Sequence, residues 1–308
     1  MVYTLGESLL DIIIDSPESI NAQPGGSMLN TAVSLGRAGV SVSLISELGD
    51  DDTAGLILQF LHDNKIRTKH VKKYYHQQTT VALAWLDEHK VPSFSIYKTY
   101  PVRRRLVAPA SFTDKELLVF GSLYSLDPTI RNQFVQILVA AKRGGSLLIY
   151  DPNIRQLNLD NKSLMQSLRE NIVFADIVKG SDADFENIFG KKPYQGYYQE
   201  IKKISPNTAL VLTLGEKGVV GFQDEMVVQL PAEKVEVVST IGAGDAFTAG
   251  MVYSLEKKYD KRGNGQDKAS AGAKRKNLSK TDFKNILQSG LRFSAVVCGV
   301  MDNYIPKP

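Results

Sequence analysis

Two glycines and one acid stand directly before a helix-like run in residues 237–255, VVSTIGAGDAFTAGMVYSL. Gly242 and Gly244 let a backbone turn sharply and let a ligand come close to the main chain. The apolar residues after Asp245 have the spacing of a helix with a small-residue face. Amides at a helix N-terminus bind anions, and a carboxylate beside them can act as a base. The alternative is an ordinary helix start, where the macrodipole favours an acid in the first turn.

A second glycine motif lies near the other end of the chain, in residues 24–39, PGGSMLNTAVSLGRAG. Gly25 and Gly26 open a turn, and Asn30 follows one helical turn later. The apolar residues around it form a core-facing stripe. We therefore expect a polar amide just inside a helix, either directed at a ligand or, as the alternative, solvated at a plain N-terminal turn.

The common nucleotide-binding motifs are not found in the sequence. Phe185 stands where a Walker loop needs its first glycine. Phe247 takes the third glycine position of a Rossmann pattern that begins at Gly242. A P-loop enzyme and a Rossmann dehydrogenase are therefore both disfavoured.

Short apolar runs alternate with helix-like segments along most of the chain. The predicted strands are residues 42–46, 117–122, 146–151, 176–181 and 209–215, and the predicted helices are residues 29–38, 53–64, 128–143, 161–174 and 182–204, the last broken near Pro193. This alternation predicts an α/β fold with a mostly parallel sheet that helices cover on both faces. Ligands bind at the carboxyl ends of such strands, and Asp151, Lys179, Thr213 and Asp245 follow strands there.

One part of the chain does not alternate with helices. Residues 79–98, TTVALAWLDEHKVPSFSIYK, are typical of two strands joined by a turn at 87–90. With LLDIIID and the chain to Pro24, they predict a small sheet that projects from the main body as a lid, formed by segments 10–24 and 71–105. The alternative is a hairpin that extends the main sheet.

Length, composition and charge restrict the class of protein. The 308 residues have ordinary apolar content, which predicts one domain over residues 1–308. No apolar run reaches the roughly 18 residues of a membrane span, and a single cysteine without an export signal predicts a cytoplasmic protein. Nine Lys or Arg, against two Asp, lie in residues 257–280. Because this run has a single tyrosine, it is more typical of a solvated loop than of a nucleic-acid site, and no nucleic-acid or membrane partner is expected.

In this order and this far apart, the two glycine motifs resemble the two signatures of the ribokinase-like (PfkB) carbohydrate kinase family. The resemblance extends over almost the whole chain. GESLLD is similar to the family's opening strand, ELGDDDTAG to its Gly-Asp-Asp stretch, DPNIR to its Asp-x-Asn-x-Arg motif, and TLGEKG to its Gly-x-x-Gly nucleotide loop. Each similarity alone is weak, but six in register identify the family.

The resemblance implies a three-layer αβα sandwich with a small β-sheet lid. It also implies an enzyme that transfers the γ-phosphate of ATP to a sugar hydroxyl with the help of Mg²⁺. The amides of Gly242, Ala243 and Gly244 would stabilise the negative charge on the γ-phosphate. Asp245 would take the proton from the sugar hydroxyl.

The remaining site residues are assigned by the same resemblance. The sugar would contact Asp11, Gly25, Gly26, Asn30, Tyr97 and Arg155, and the nucleotide would contact Lys179, Ser181, Thr213, Gly215, Gly218 and Thr240. Tyr97 would reach the sugar from the lid, whereas Arg155 is either a substrate or phosphate contact or a solvated side chain. Asp184 would order water on Mg²⁺, with Glu186 as the fallback.

Three features depart from the family pattern. Ser239 replaces the first Asp of Asp-Thr-x-Gly-Ala-Gly-Asp, which helps ribokinase-like members bind an activating monovalent cation, so weak or absent activation by potassium is predicted. The family's Asn-x-x-Glu appears as SDAD, which leaves Asp184 on a shorter arm. The basic segment 257–280 is longer than the family's usual connection.

The sugar itself is ranked by resemblance. The GE…D opening and DPNIR are most similar to fructokinases and 2-keto-3-deoxygluconate kinases, so fructose is ranked first and the acid sugar second. Lys98 and the three arginines at 103–105 follow the lid hairpin, which leaves a phosphosugar or an acid sugar open. A catalytically silent sugar or nucleotide sensor on the same fold is the rival from another class. Lid strands in this family often pair between subunits, which implies a homodimer through the lid.

Overall fold

The computed structural model describes residues 1–88, 92–154, 161–262 and 278–307. Its strands are β1 (Val2–Leu5), β2 (Leu9–Ser16), β3 (Ser19–Gly25), β4 (Val42–Leu48), β5 (Ile66–Lys73), β6 (Val81–Leu86), β7 (Pro92–Tyr97), β8 (Leu117–Gly121), β9 (Leu147–Asp151), β10 (Ile177–Ser181), β11 (Ala209–Thr213), β12 (Val219–Gln223) and β13 (Met226–Leu230). Its α-helices are α1 (Ser27–Arg37), α2 (Asp52–Asp63), α3 (Arg131–Arg143), α4 (Lys162–Phe174), α5 (Asp182–Phe189), α6 (Tyr194–Ile204), α7 (Ala243–Arg262) and α8 (Lys280–Cys298). The predicted break near Pro193 separates α5 from α6.

Most of the strands form one large sheet. Its order across the described residues is β13-β12-β11-β10-β9-β8-β1-β4-β5, and the strands from β5 to β11 in this order run parallel. At one end of the sheet, β12 pairs antiparallel with β11 and with the edge strand β13. The carboxyl ends of the parallel strands therefore meet at one edge of the sheet, where ligands are expected.

Alternate residues of the strands face two separate cores. In β8, Leu117 and Val119 belong to the core under α1, α2, α7 and α8, whereas Leu118 and Phe120 belong to the core under α3, α4, α5 and α6. This period of two places one helical layer on each face of the sheet. The predicted three-layer αβα sandwich is confirmed.

A second, smaller sheet stands apart from the large one. Its order is β3-β2-β6-β7, with β2 and β6 parallel and the two outer pairs antiparallel. The hairpin at 79–98 therefore belongs to a separate sheet and does not extend the main one. Residues 89–91 of its predicted turn lie outside the described residues.

The basic segment 257–280 and the question of a membrane span are judged on the described residues alone. Residues 263–277 of the basic segment lie outside the described residues. Within the described part of the chain, no helix has both the length and the apolar character that crossing a membrane requires.

Candidate active site

A cavity of about 510 Å³ lies between the large sheet, the small sheet and the first turns of two helices. The large sheet contributes residues at the carboxyl ends of four neighbouring strands, namely Glu7, Ser122, Asp151 and Lys179. The small sheet contributes Leu9, Asp11, Ala82 and Ile96, and α1 and α7 contribute Ser27, Asn30, Gly244 and Asp245. The two glycine motifs, more than 200 residues apart in sequence, therefore meet at one site.

The first turn of α7 has the backbone geometry of an anion site. Gly242 has φ of +77°, and a Cβ there would lie 2.1 Å from the carbonyl oxygen of Asn303. The helix makes its first four-residue hydrogen bond from Ala246 N to Gly242 O at 2.8 Å, so the amides before it are not part of the helical ladder. Gly242 and Gly244 line the cavity, whereas Ala243 does not, and its amide donates to Thr240 O at 3.3 Å.

Asp245 lies where the two glycine motifs meet. The Ser27 hydroxyl donates to its Oδ1 at 2.6 Å, and Asn30 Nδ2 donates to its Oδ2 at 2.9 Å. Burial raises the pKa of Asp245 to about 6, and the charge of Asp151 adds to the rise, while the two hydrogen bonds and Lys179 oppose it. A carboxylate with this pKa is a stronger base than a solvated one yet is ionised at neutral pH. Because an ionised carboxylate has about four acceptor sites, an alcohol can still bind to it.

The side-chain amide of Asn30, beside Asp245, also indicates a ligand in the cavity. Its Oδ1 is buried and has no hydrogen-bond partner among the described residues. A buried acceptor without a partner is costly unless a ligand or water satisfies it. The prediction that Asn30 is directed at a ligand is therefore supported over the solvated alternative, since Asn30 is 4% exposed.

Asp11 projects from β2 into the cavity and is 7% exposed. Its Oδ2 accepts a hydrogen bond from Asn303 Nδ2 at 3.2 Å. Burial, followed by the charges of Asp245 and Glu7, raises the pKa of Asp11 to about 7. A Cβ at Gly25 would lie 1.9 Å from the same oxygen, so Gly25 serves the site by leaving space for this carboxylate and is not itself among the residues lining the cavity. Gly26 does line it.

Lys179, which was predicted to contact the nucleotide, is hydrogen-bonded to other residues of the protein. Its ammonium group donates to Asp151 Oδ2 at 2.8 Å and to the Gly244 carbonyl oxygen at 3.0 Å. The Thr248 hydroxyl donates to the same Asp151 oxygen at 2.9 Å. Lys179 lines the cavity but is 3% exposed, so its charge acts from beneath the first turn of α7.

Ser181 and Asp184 form the start of α5. Asp184 Oδ2 accepts hydrogen bonds from the amide and the hydroxyl of Ser181, both at 2.7 Å, and its Oδ1 accepts from the Ile154 amide at 2.8 Å. This is a capping box, which gives both residues a structural role. Asp184 also lines the cavity, whereas Ser181 does not. Because both oxygens of Asp184 already accept hydrogen bonds, this carboxylate fits a metal contact only through water. No group of three or more acidic, His or Cys residues suited to a metal ion occurs in the described ranges.

The predicted nucleotide loop lies beside the cavity, not in its wall. Of the predicted nucleotide contacts, Thr240 lines the cavity, whereas Thr213, Gly215 and Gly218 do not. Gly218 has φ of +97°, and a Cβ there would lie 2.1 Å from Leu230 O, which makes the glycine necessary for packing against β13. Gly215 has φ of +57° with open space around it. These nucleotide assignments stay predictions.

The prediction for Tyr97 is off by one residue. Tyr97 is 60% exposed and is not among the residues lining the cavity, whereas its neighbours Ile96 and Lys98 are. Successive side chains of a strand point to opposite faces, so one position decides which face a residue occupies. Arg155 lies outside the described residues.

A buried cluster that the sequence did not predict supports one wall of the cavity. Arg104 Nε donates to both oxygens of Glu47, at 3.3 Å to Oε1 and 3.1 Å to Oε2, and a terminal nitrogen donates to Oε2 at 2.5 Å. The guanidinium lies 3.8 Å from the ring centre of Tyr100. Tyr124 donates to Glu47 Oε2 at 2.5 Å. Tyr100 and Tyr124 line the cavity, so Arg104 supports the wall from behind these rings. Because Arg104 is paired with Glu47, it is not a free basic group for an anionic sugar. Glu7, whose carboxylate accepts a hydrogen bond from the Ser122 hydroxyl, was also missed.

The raised pKa of Asp11 makes stability depend on pH. Since its pKa is about 7 in the folded chain and 3.8 as the unperturbed value, the folded state binds the proton more tightly, and this stabilisation is lost as the pH rises through 7. Between pH 5 and pH 8, the unfolding free energy of the wild type should fall by about 2–3 kcal/mol more than that of Asp11→Asn. Urea unfolding of both proteins at the two pH values measures the difference. Parallel changes in the two proteins would contradict the shift.

Three comparisons with known proteins agree with this geometry. The family model described as pfkB family carbohydrate kinase matches residues 1–303. A fructokinase of Klebsiella pneumoniae is 27% identical over 259 residues, which are 82% of this chain and 84% of the relative. The structure of Halothermothrix orenii fructokinase superposes with a TM-score of 0.70 and 26% identity, covering 87% of this chain and 99% of that chain. Fructokinase from Vibrio cholerae, in its form with fructose, ADP and calcium ion, superposes with a TM-score of 0.83 at 20% identity over 100% of this chain and 95% of that one, which shows the shared fold.

Proposed function

Because the chain belongs to the pfkB family of carbohydrate kinases and is therefore a sugar kinase, we propose that it transfers the γ-phosphate of ATP to a hydroxyl of fructose. The observation that carries the proposal is Asp245, which contacts Ser27 and Asn30 of the first glycine motif and lies in the first turn of the helix of the second. A base and an anion site thus border the same cavity. The fructokinase relatives favour fructose within the sugar kinases.

In the proposed reaction, the main chain and Asp245 have separate tasks. The start of α7 holds the γ-phosphate, since Gly242 and Gly244 line the cavity there and the amides before Ala246 lie outside the helical ladder. Asp245 accepts the proton of the sugar hydroxyl as the new O–P bond forms and the bond to the ADP oxygen breaks. Lys179 offsets part of the negative charge of Asp151 beneath the same turn.

The metal in this proposal is Mg²⁺. It would be held chiefly by the nucleotide phosphates, with Asp184 reached through water, and it would neutralise charge on those phosphates. The capping box leaves Asp184 little freedom to move, so this carboxylate would support the metal's water shell from a fixed position.

Acceptors around the cavity suit the hydroxyls of a sugar. The lining contains the carboxylates of Glu7, Asp11, Asp151, Asp184 and Asp245, together with the two cations Lys98 and Lys179. Since Lys179 is paired with Asp151, the surplus of carboxylates favours a neutral sugar over an anionic one. Lys98 in the wall is the observation that favours the second candidate, 2-keto-3-deoxygluconate.

A sugar panel tests the function. ADP release is measured with ATP, Mg²⁺ and, in separate assays, fructose, 2-keto-3-deoxygluconate, ribose and glucose. The highest kcat/KM with fructose supports the proposal, and the highest value with the acid sugar supports the second candidate. Release of ADP with none of the sugars, together with calorimetric sugar binding, would identify the silent sensor instead.

We also propose that two copies pair through the small sheet. Ile20, Trp85 and Tyr97 are each about half exposed or more, and the strand register places them on the face opposite Asp11 and Ala82. An exposed apolar face on a small sheet is typical of an interaction surface.

A further inference from the structure

Asn303 lies in the segment that follows α8 and is completely buried. Its Nδ2 donates to Asp11 Oδ2 at 3.2 Å, and its Oδ1 accepts from Gln23 Nε2 at 3.0 Å. Both ends of the amide are therefore engaged, one on β2 and one on β3. The Gln23 donor fixes which end of the amide faces Asp11, because only a carbonyl oxygen can accept from it.

The main chain of Asn303 contacts the other half of the site. Its carbonyl oxygen lies where a Cβ at Gly242 would be only 2.1 Å away, so the segment packs directly against the turn that opens α7. One residue thus touches the carboxylate proposed for the sugar and the turn proposed for the phosphate.

Contacts outside the cavity hold this segment in place. The Tyr304 hydroxyl donates to Pro24 O at 3.4 Å, and Arg37 donates to Ile305 O at 2.7 Å. The Arg37 guanidinium also lies 4.7 Å from the ring centre of Tyr304. The segment is therefore fixed independently of any ligand, as a support for a catalytic geometry should be.

We propose that Asn303 is a positioning residue: its amide orients Asp11 toward a sugar hydroxyl while its carbonyl oxygen fixes the Gly242 turn. This inference rests on the proposed sugar-binding role of Asp11. The physical reason is the surroundings of Asp11, where Glu7 and Asp245 are also acidic. A neutral donor of fixed orientation stabilises the ionised carboxylate there without a counter-charge that would compete for the sugar.

Asn303→Asp tests this role because it keeps the shape and replaces the donor with an acceptor. Two facing carboxylates fit together only while they share a proton. The KM for the sugar should therefore rise at least about tenfold between pH 6 and pH 8 relative to the wild type, with the KM for ATP changing less than about threefold. The charged groups near the pair are Glu7 and Asp245 on the cavity side and Arg37 and Asp302 on the far side of the segment, and all are present in the wild type that serves as reference.

The matched control is Asn171→Asp. Asn171 is also fully buried, and it hydrogen-bonds Arg131 and Ser125 away from the cavity. It should affect stability without a pH-dependent change in the sugar KM. Equal KM changes in the two variants, or a sugar KM for Asn303→Asp within twofold of the wild type at both pH values, would overturn the proposal.

Gln23→Leu provides the test if Asn303→Asp does not fold. Without the Gln23 donor, the Asn303 amide is free to turn over, so the sugar KM should rise about threefold or more while the KM for ATP is kept. An unchanged sugar KM would overturn the inference. If the wild type phosphorylates no sugar, the proposed function is wrong, but the role of Asn303 can still be tested. Calorimetric sugar affinities of the same variants then replace the KM values. Absence of any sugar binding by the wild type would overturn the role of Asn303 as well.

Discussion

Asp245→Asn is expected to lower kcat by about 10²–10⁴-fold, the usual contribution of a general base. The amide has nearly the same shape: its oxygen can accept from Asn30 Nδ2, and its NH₂ group can donate to the Ser27 hydroxyl, which both donates and accepts. It cannot accept a proton at neutral pH, and the developing oxyanion of the sugar then has no base. We expect the affinity for the sugar, measured by calorimetry without ATP, to change by less than about fivefold.

Asp52→Asn is the matched control for this prediction. Asp52 is also an acid in the first turn of a helix, α2, so the substitution removes the same charge from the first turn of another helix. If the role of Asp245 were only to complement the helix macrodipole, the two variants would lose a similar, small amount of stability and neither would lose turnover. A kcat of Asp245→Asn within tenfold of the wild type would exclude it as the base.

Much of the fold could be predicted because its signals are local. The parallel strands are continuous apolar runs, and the helices between them have clear apolar periodicity; predicted α2 at 53–64 differs by one residue at each end from the observed Asp52–Asp63. Strand β5, at the edge of the sheet, was not predicted because its sequence, IRTKHVKK, is rich in basic residues. Such residues protect an edge strand from pairing with other chains, and they weaken the apolar pattern.

Cavity residues could be predicted where they belong to a short continuous motif. They could not be predicted where their position depends on contacts with residues distant in sequence. Asp245, Gly242 and Asn30 belong to compact motifs and all line the cavity. Tyr97 was assigned to the wrong face because the strand register is a property of the pairing and not of one strand's sequence. Lys179 and Arg104 both read as available cations, but each forms an ion pair with an acid distant in sequence, Asp151 or Glu47.

The second large effect is expected from Arg104→Met, which should destabilise the folded state by about 3–5 kcal/mol. The substitution leaves the Glu47 carboxylate, 1% exposed, with tyrosine donors but without a positive charge. Tyr74 and Tyr124 each donate to it at 2.5 Å, which is not enough to replace the hydration that the ionised group has in the unfolded chain. Urea unfolding of the variant measures the loss. Lys202→Met removes a cation whose partner, Asp224, is 71% exposed, and this control should cost about 1 kcal/mol or less.

A loss of stability in Arg104→Met has two possible causes, the unpaired buried charge of Glu47 and the lost packing of the arginine stem. The double variant Glu47→Gln/Arg104→Met separates them. If the buried charge is the cause, neutralising Glu47 removes most of the cost, since Asp127, the other acid paired with Arg104, is less buried, and the double variant should be more stable than Arg104→Met alone. If lost packing of the arginine stem is the cause, the double variant should be at least as unstable as the single one. Because Tyr100 lies against the Arg104 guanidinium and lines the cavity, the loss of this contact should raise the sugar KM in the single and the double variant alike, whichever explanation of the stability loss holds.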